Sequence, residues 1–159
     1  MTPGHLHILC GKIASGKSTL AGNLFRQPAT VLISEDTWLA ELFGPEMSTI
    51  RDYVRVSARL RAVMEPHVIG LLEGGVSVVL DFPANTPATR VWMRRVSENS
   101  GSDHTLHYLN VSNEICKERL RARNASGGHP FSVSDEQFEA VTKYFVPPGP
   151  DEGFNVLER

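Results

Sequence analysis

Gly11, Gly16, Lys17 and Ser18 are spaced to hold a polyphosphate. The run Gly11-Lys12-Ile13-Ala14-Ser15-Gly16-Lys17-Ser18, followed by Thr19, fits the pattern G-x-x-x-x-G-K-[ST] at every fixed position. The glycines let the backbone curl around a phosphate chain, so that amides point inward at the anion. Lys17 is of the type and position to reach the β- and γ-phosphates, and the Ser18 hydroxyl to bind Mg²⁺. The pattern points to a nucleoside triphosphate, with ATP and Mg²⁺ as the expected cofactors. It leaves open what becomes of the γ-phosphate.

The loop needs a strand before it and a helix after it. His5-Leu6-His7-Ile8-Leu9-Cys10 is a short apolar strand, and Leu20 to Phe25 opens a helix whose positive N-terminal end adds to the anion site. Val31-Leu32-Ile33 reads as a second strand, with Thr37–Phe43 helical behind it and Gly44-Pro45 as its stop. From Thr49 to about Leu72 apolar residues recur at helical steps, with Pro66 expected to kink or divide the helix. Val76–Leu80 is a continuous apolar run, as a central parallel strand requires.

Thr86-Pro87, a hydroxyl cap followed by proline, starts a helix to about Glu98, and Thr105–Val111 is a fourth strand. A helix from Glu114 to about Arg123 and a loop to Pro130 follow. Ser134-Asp135-Glu136-Gln137 is a capping box opening a helix that carries Phe138, Val141, Tyr144 and Phe145. Gly153–Leu157 is a short final strand. Alternating strands and helices specify an α/β fold on a parallel sheet, which binds ligands at the carboxyl ends of its strands.

The residues at those ends suit phosphoryl transfer. Asp36, after the second strand, is placed either as a general base toward an acceptor hydroxyl or as a helix cap. Asp81, ending the third, is placed as an acid holding Mg²⁺, or as a turn residue beside Pro83. Arg119 and Arg123 stand one helical turn apart and share a face, with Arg121 pointing elsewhere. That pair is either a solvated basic face or a lid closing cations over phosphates. Lys12 occupies a variable loop position and is expected to be exposed. The six histidines form no recognisable ligand set and are expected to be structural or superficial, with His129 a candidate lid contact.

The chain has 159 residues, which predicts one domain over 1–159 with a lid at about 113–131. A net charge of −2 supplies no global attraction to nucleic acid or anionic membrane. Cys10 and Cys116 read as buried free thiols. No apolar run reaches the length of a membrane span, and the first residues lack a signal-peptide pattern, so a cytoplasmic location is expected.

The phosphate loop, Leu32-Ile33-Ser34-Glu35-Asp36, the segment Val79 to Thr86 and the helix with Arg119-Leu120-Arg121-Ala122-Arg123-Asn124 together resemble the small P-loop kinases. The chain is most similar to the AAA-type single-domain ATP-binding proteins of bacteria related to polynucleotide kinase, zeta toxin and chloramphenicol phosphotransferase. The likeness spans roughly Leu6 to Val111 plus the arginine helix. It implies a three-layer P-loop nucleoside triphosphate hydrolase fold, a sheet of about five strands in order 2-3-1-4-5, a helical lid, and transfer of the ATP γ-phosphate to a hydroxyl. It also implies that Asp36 matches the acceptor-activating aspartate of polynucleotide kinase. The sequence departs from that kinase at Leu39, where the family has an arginine for the acceptor phosphate, and the helix around it is apolar.

These features favour a Mg²⁺-ATP-dependent kinase acting on a small hydroxyl-bearing acceptor, built around Lys17, Asp36, Arg119 and Arg123. The segment Glu41 to Met64 would form the acceptor pocket, with Arg51, Arg55, Arg59 and Arg61 as candidates to meet an acidic acceptor. A polynucleotide 5′-hydroxyl or nucleotide-sugar kinase is an alternative. So is a non-catalytic ATP-binding switch that engages a protein partner.

Overall fold

Five strands run parallel in the order β2-β3-β1-β4-β5: β1 (Leu6–Gly11), β2 (Thr30–Ser34), β3 (Ser77–Asp81), β4 (His104–Leu109) and β5 (Val156–Glu158). This is the expected sheet order. The computed structural model describes residues 2–127 and 132–159. Register sets β1 between its neighbours, with Ile8 opposite Leu80 on one side and Leu106 on the other. All six residues of β1 are buried, because helices cover both faces of the sheet.

The helices are α1 (Lys17–Phe25), α2 (Glu35–Phe43), α3 (Ile50–Glu73), α4 (Pro87–Ser100), α5 (Asn113–Ser126) and α6 (Asp135–Thr142). Alternation along β1 sorts its side chains between two cores. Leu6, Ile8 and Cys10 join the large core with the stripe Val56, Leu60, Met64, Val68 and Leu72 of α3 and Trp92, Met93 and Val96 of α4. Leu9 faces the other way, packing with Val79 and with Ala21 and Leu24 of α1. A third cluster joins Cys116 and Leu120 of α5 to Phe138 of α6 and rests on Ile13 and Ala14 of the phosphate loop. Both cysteines are free and buried.

Several boundaries differ from the sequence expectation. Pro66 does not divide α3, which runs unbroken for 24 residues. Pro66 and Ala62, whose carbonyl loses its helical partner, are both exposed, so water replaces the missing hydrogen bond. Helix α5 continues to Ser126 and ends at Gly127, whose φ of 64° supplies the left-handed turn. Helix α6 stops at Thr142, so Tyr144 and Phe145 lie beyond it. There the Val146 N–H donates to the Asn85 carbonyl at 2.8 Å, and Phe145 stacks on Tyr108. The expected caps at Thr86 and Ser134 are both formed, each as a capping box. His129 and the end of the expected lid fall on residues 128–131, outside the described residues. Among the described residues no helix is long and apolar enough to cross a membrane.

Candidate active site

The phosphate loop leaves β1 and turns into α1 over Gly11–Gly16. Gly11 has no room for a side chain: a Cβ there would lie 2.4 Å from the Ser15 hydroxyl. Gly16 holds φ at 104°, a conformation that a Cβ would strain, and caps α1 with no side-chain hydrogen bond. Ala14 also has a positive φ, 63°. A non-glycine residue held there stores strain of about 1–3 kcal/mol. The Asn85 side-chain carbonyl fixes the start of the loop by accepting the Gly11 N–H at 3.2 Å.

Lys17 folds back over the loop. Its ammonium donates to the carbonyls of Gly11 at 2.7 Å and Lys12 at 3.0 Å. Burial holds its pKa below the ordinary lysine value, opposed by the nearby Asp81 carboxylate. Lys12 is not exposed as expected. It is half-buried, donates to the Val111 carbonyl at 3.2 Å, and stands 5.7 Å from the centre of the Phe145 ring. Its long stem covers apolar surface while the ammonium finds a carbonyl and a ring face.

A cavity of about 530 Å³ opens in front of this loop. Ile13, Ala14, Gly16, Lys17, Ser18 and Thr19 form its floor; Asp36, Asp81, Arg119, Arg123 and Val133 form its walls. Six elements or loops therefore converge on one space, and Asp36 and Asp81, the strand-end candidates singled out from the sequence, both face it.

The helix-cap alternative for Asp36 does not hold. Ser34 is the N-cap of α2 and accepts the Thr37 N–H at 3.5 Å, so the helix begins two residues earlier than expected. Asp36 sits within the first turn, exposed, with its carboxylate on the cavity wall. Asp81 is the last residue of β3. Burial raises its pKa, the Lys17 ammonium lowers it, and Asp36 raises it again. Asp81 and the exposed Ser18 hydroxyl, both on this cavity, offer hard oxygen donors of the kind Mg²⁺ takes. Among the described residues no group of three or more His, Cys, Asp or Glu side chains could hold a metal by itself. A Mg²⁺ here would lean on phosphate oxygens, its usual mode.

The basic helix sorts as its spacing predicts. Arg119 and Arg123 line the cavity, and Arg119 donates to the Ser15 carbonyl at 3.4 Å. Arg121 points away and pairs with Asp135 of α6. The Arg123 Nε–H is buried with no hydrogen-bond partner among the described residues. A buried donor left unpaired costs about 1–3 kcal/mol, so this group invites an anion.

Two neighbours were not singled out by spacing. Glu35, only 3% exposed, turns inward from α2 and accepts the Tyr53 hydroxyl at 2.6 Å. Its pKa is raised, chiefly by burial. Arg90, in α4, is completely buried and supports Cys10 and the segment after β3. Neither shows in motif or period.

Comparison with known proteins places this geometry. No curated protein is a significant relative of the chain. In fold it is similar to a Chloroflexus aurantiacus protein proposed to be a kinase, with TM-score 0.76, 22% identity, and coverage of 100% of this chain and 86% of that one. It is also similar to the Mycobacterium tuberculosis APS kinase CysC solved with AMPPNP and APS, with TM-score 0.62, 19% identity, and coverage of 99% and 90%. A gluconokinase from Sinorhizobium meliloti aligns with TM-score 0.60, 14% identity, and coverage of 98% and 82%. At these identities the likeness is one of fold. The family described as AAA domain matches residues 6–148. With its phosphate loop, its sheet order and that match together, the chain belongs to the AAA domain family, as a P-loop protein of kinase-like fold.

Proposed function

We propose that the protein transfers the γ-phosphate of ATP to a hydroxyl of a small molecule. The observation that carries this reading is the convergence of Lys17, Asp36, Asp81, Arg119 and Arg123 on one cavity at the phosphate loop. Phosphoryl transfer is catalysed mainly by positioning and by charge stabilisation, and each part needed has a residue here. The loop amides and Lys17 hold the β- and γ-phosphates. Ser18 and Asp81 are the residues that would hold Mg²⁺, which when bound neutralises charge on the phosphate oxygens. Asp36 accepts the proton of the acceptor hydroxyl as its oxygen bonds to the γ-phosphorus, while the bond from that phosphorus to the bridging oxygen of ADP breaks. Arg119 and Arg123 meet the charge spread over the transferring group.

A polynucleotide acceptor is less well supported. Leu39, at the position of the kinase arginine, is 2% exposed and belongs to the large core, so nothing cationic stands there for an acceptor phosphate. Of the four arginines on α3, only Arg61 is half-buried; Arg51, Arg55 and Arg59 are exposed.

The test is D36N. It should lower kcat about 10²- to 10⁴-fold, the usual worth of a general base, while ATP affinity measured by calorimetry stays near wild type. K17A should lose ATP affinity itself. A D36N protein that retains full activity while K17A loses it would favour the non-catalytic switch and overturn the kinase reading.

A further inference from the structure

A separate cavity, of about 260 Å³, is lined by chain neighbours of residues in the phosphate cavity. Its walls include Glu35 of α2, Tyr53, Ser57 and Arg61 of α3, Phe82 after β3, and Trp92 of α4. Its position ties it to the first. Glu35 precedes Asp36 on the same helical turn, and Phe82 follows Asp81, so the two carboxylates of the phosphate cavity are chain neighbours of two walls of this one.

Its chemistry is mixed. Tyr53, Phe82 and Trp92 supply aromatic surface, and Phe82 meets Trp92 edge-on at 5.4 Å between centroids. Glu35 uses only Oε1 for Tyr53; no hydrogen bond reaches Oε2 among the described residues. That oxygen is not among the buried atoms left without a partner, so it has access to open space. The Tyr53 and Ser57 hydroxyls both donate, to Glu35 and to the Val54 carbonyl, and keep lone pairs free to accept. Arg61 is half-buried and has no ion pair among the described residues.

An apolar occupant would leave Glu35 Oε2 and the Arg61 guanidinium without hydrogen-bond partners on its burial, which is costly. At about 260 Å³ the cavity falls just below the range of about 300–1,000 Å³ for pockets of drug-sized ligands, which favours a small occupant. A simple anion would meet the Glu35 carboxyl. What fits is a ring or short chain whose C–H faces lie on aromatic side chains and whose hydroxyls both donate and accept. Resting on the kinase reading above, we propose that this cavity is the acceptor pocket and takes a hydroxyl-rich molecule of monosaccharide size, with Glu35 and Arg61 as its recognition residues. The acceptor hydroxyl nearest Asp36 is then the one phosphorylated, with ADP as the leaving product and its proton passing to Asp36.

The experiment is ADP release by the full chain with D-glucose, sorbitol, D-gluconate, glucose 6-phosphate, adenosine and a 5′-hydroxyl oligonucleotide, alongside Trp92 fluorescence in a W38F background. A sugar, alditol or sugar acid should stimulate release and shift the fluorescence. R61A should raise the KM for that acceptor at least tenfold, with the KM for ATP moving less than twofold. E35A should do the same and E35Q restore much of the affinity; as Glu35 is buried and E35A risks misfolding, R61A decides if it does. Stimulation by the oligonucleotide or adenosine alone, no stimulation by any compound, or an acceptor KM indifferent to R61A overturns the assignment. In each of these outcomes, hydrolysis of ATP that D36N abolishes would leave the phosphotransfer reading standing, so the two can fail separately.

Discussion

Arg90 and Glu152 are joined through two parallel hydrogen bonds, Nε to Oε1 at 2.7 Å and Nη2 to Oε2 at 2.9 Å, with the arginine fully buried. The remaining guanidinium nitrogen donates to the carbonyls of Ala84 and Val146, each at 2.9 Å. One side chain therefore ties together α4, the segment after β3 and the stretch that leads to β5. The pair holds the Glu152 carboxyl below its usual pKa, through the Arg90 hydrogen bond first. Removing one partner of such a pair leaves a buried charge exposed to its own desolvation cost.

E152A should accordingly lose about 3–5 kcal/mol of stability. Urea unfolding followed by circular dichroism measures it. A midpoint equal to wild type would show that the guanidinium finds other partners and that the pair is dispensable.

The arginines of α5 should divide by direction rather than by type. R119A and R123A should each lower kcat at least tenfold, since both face the phosphate cavity. R121A should leave kcat alone and change stability by less than about 1 kcal/mol, because its pair with Asp135 is exposed. Steady-state kinetics on the three variants reads this directly, and equal losses from all three would refute the assignment of faces.

Acid should destabilise the protein through two buried histidines. His7 and His107 share a hydrogen bond of 3.0 Å between β1 and β4, and burial first, then neighbouring positive charge, lowers each pKa from 6.5 to about 4. The folded state thus prefers both rings neutral, while the unfolded chain takes up protons below pH 6.5. Their contribution is complete above that pH and is lost as pH falls toward 4, at about 1.4 kcal/mol per unit of depression for each ring. Unfolding free energies that stay flat from pH 7.5 to pH 5 would contradict this.

The strand ends were legible in the sequence because chain order and chemistry coincide there. A parallel sheet delivers every βα junction to one edge, so Gly11–Thr19, Asp36 and Asp81 come together once the strands are found. That Arg119 and Arg123 share a face followed from helical spacing; that the face meets the cavity came from the packing of α5 against the phosphate loop. Glu35 was harder to read, since one residue's rotation about α2 decides whether Glu35 or Asp36 faces the core, and that depends on Ser34 taking the cap. Arg90 and Glu152 were not legible at all. They lie 62 residues apart, and no local pattern encodes a buried ion pair between them. The expected exposure of Lys12 failed for a similar reason: Val111 and Phe145, its contacts, are distant in the chain.

The Lys17 ammonium, bonded to the carbonyls of Gly11 and Lys12, has a consequence for how a nucleotide is received. The loop carries its own counter-charge before any phosphate arrives, and its shape is already closed around a cation. Binding then becomes an exchange of oxygen partners on a side chain that is held beforehand, and little conformational freedom is left to be surrendered on arrival. Affinity at this end of the site then rests on the quality of that exchange.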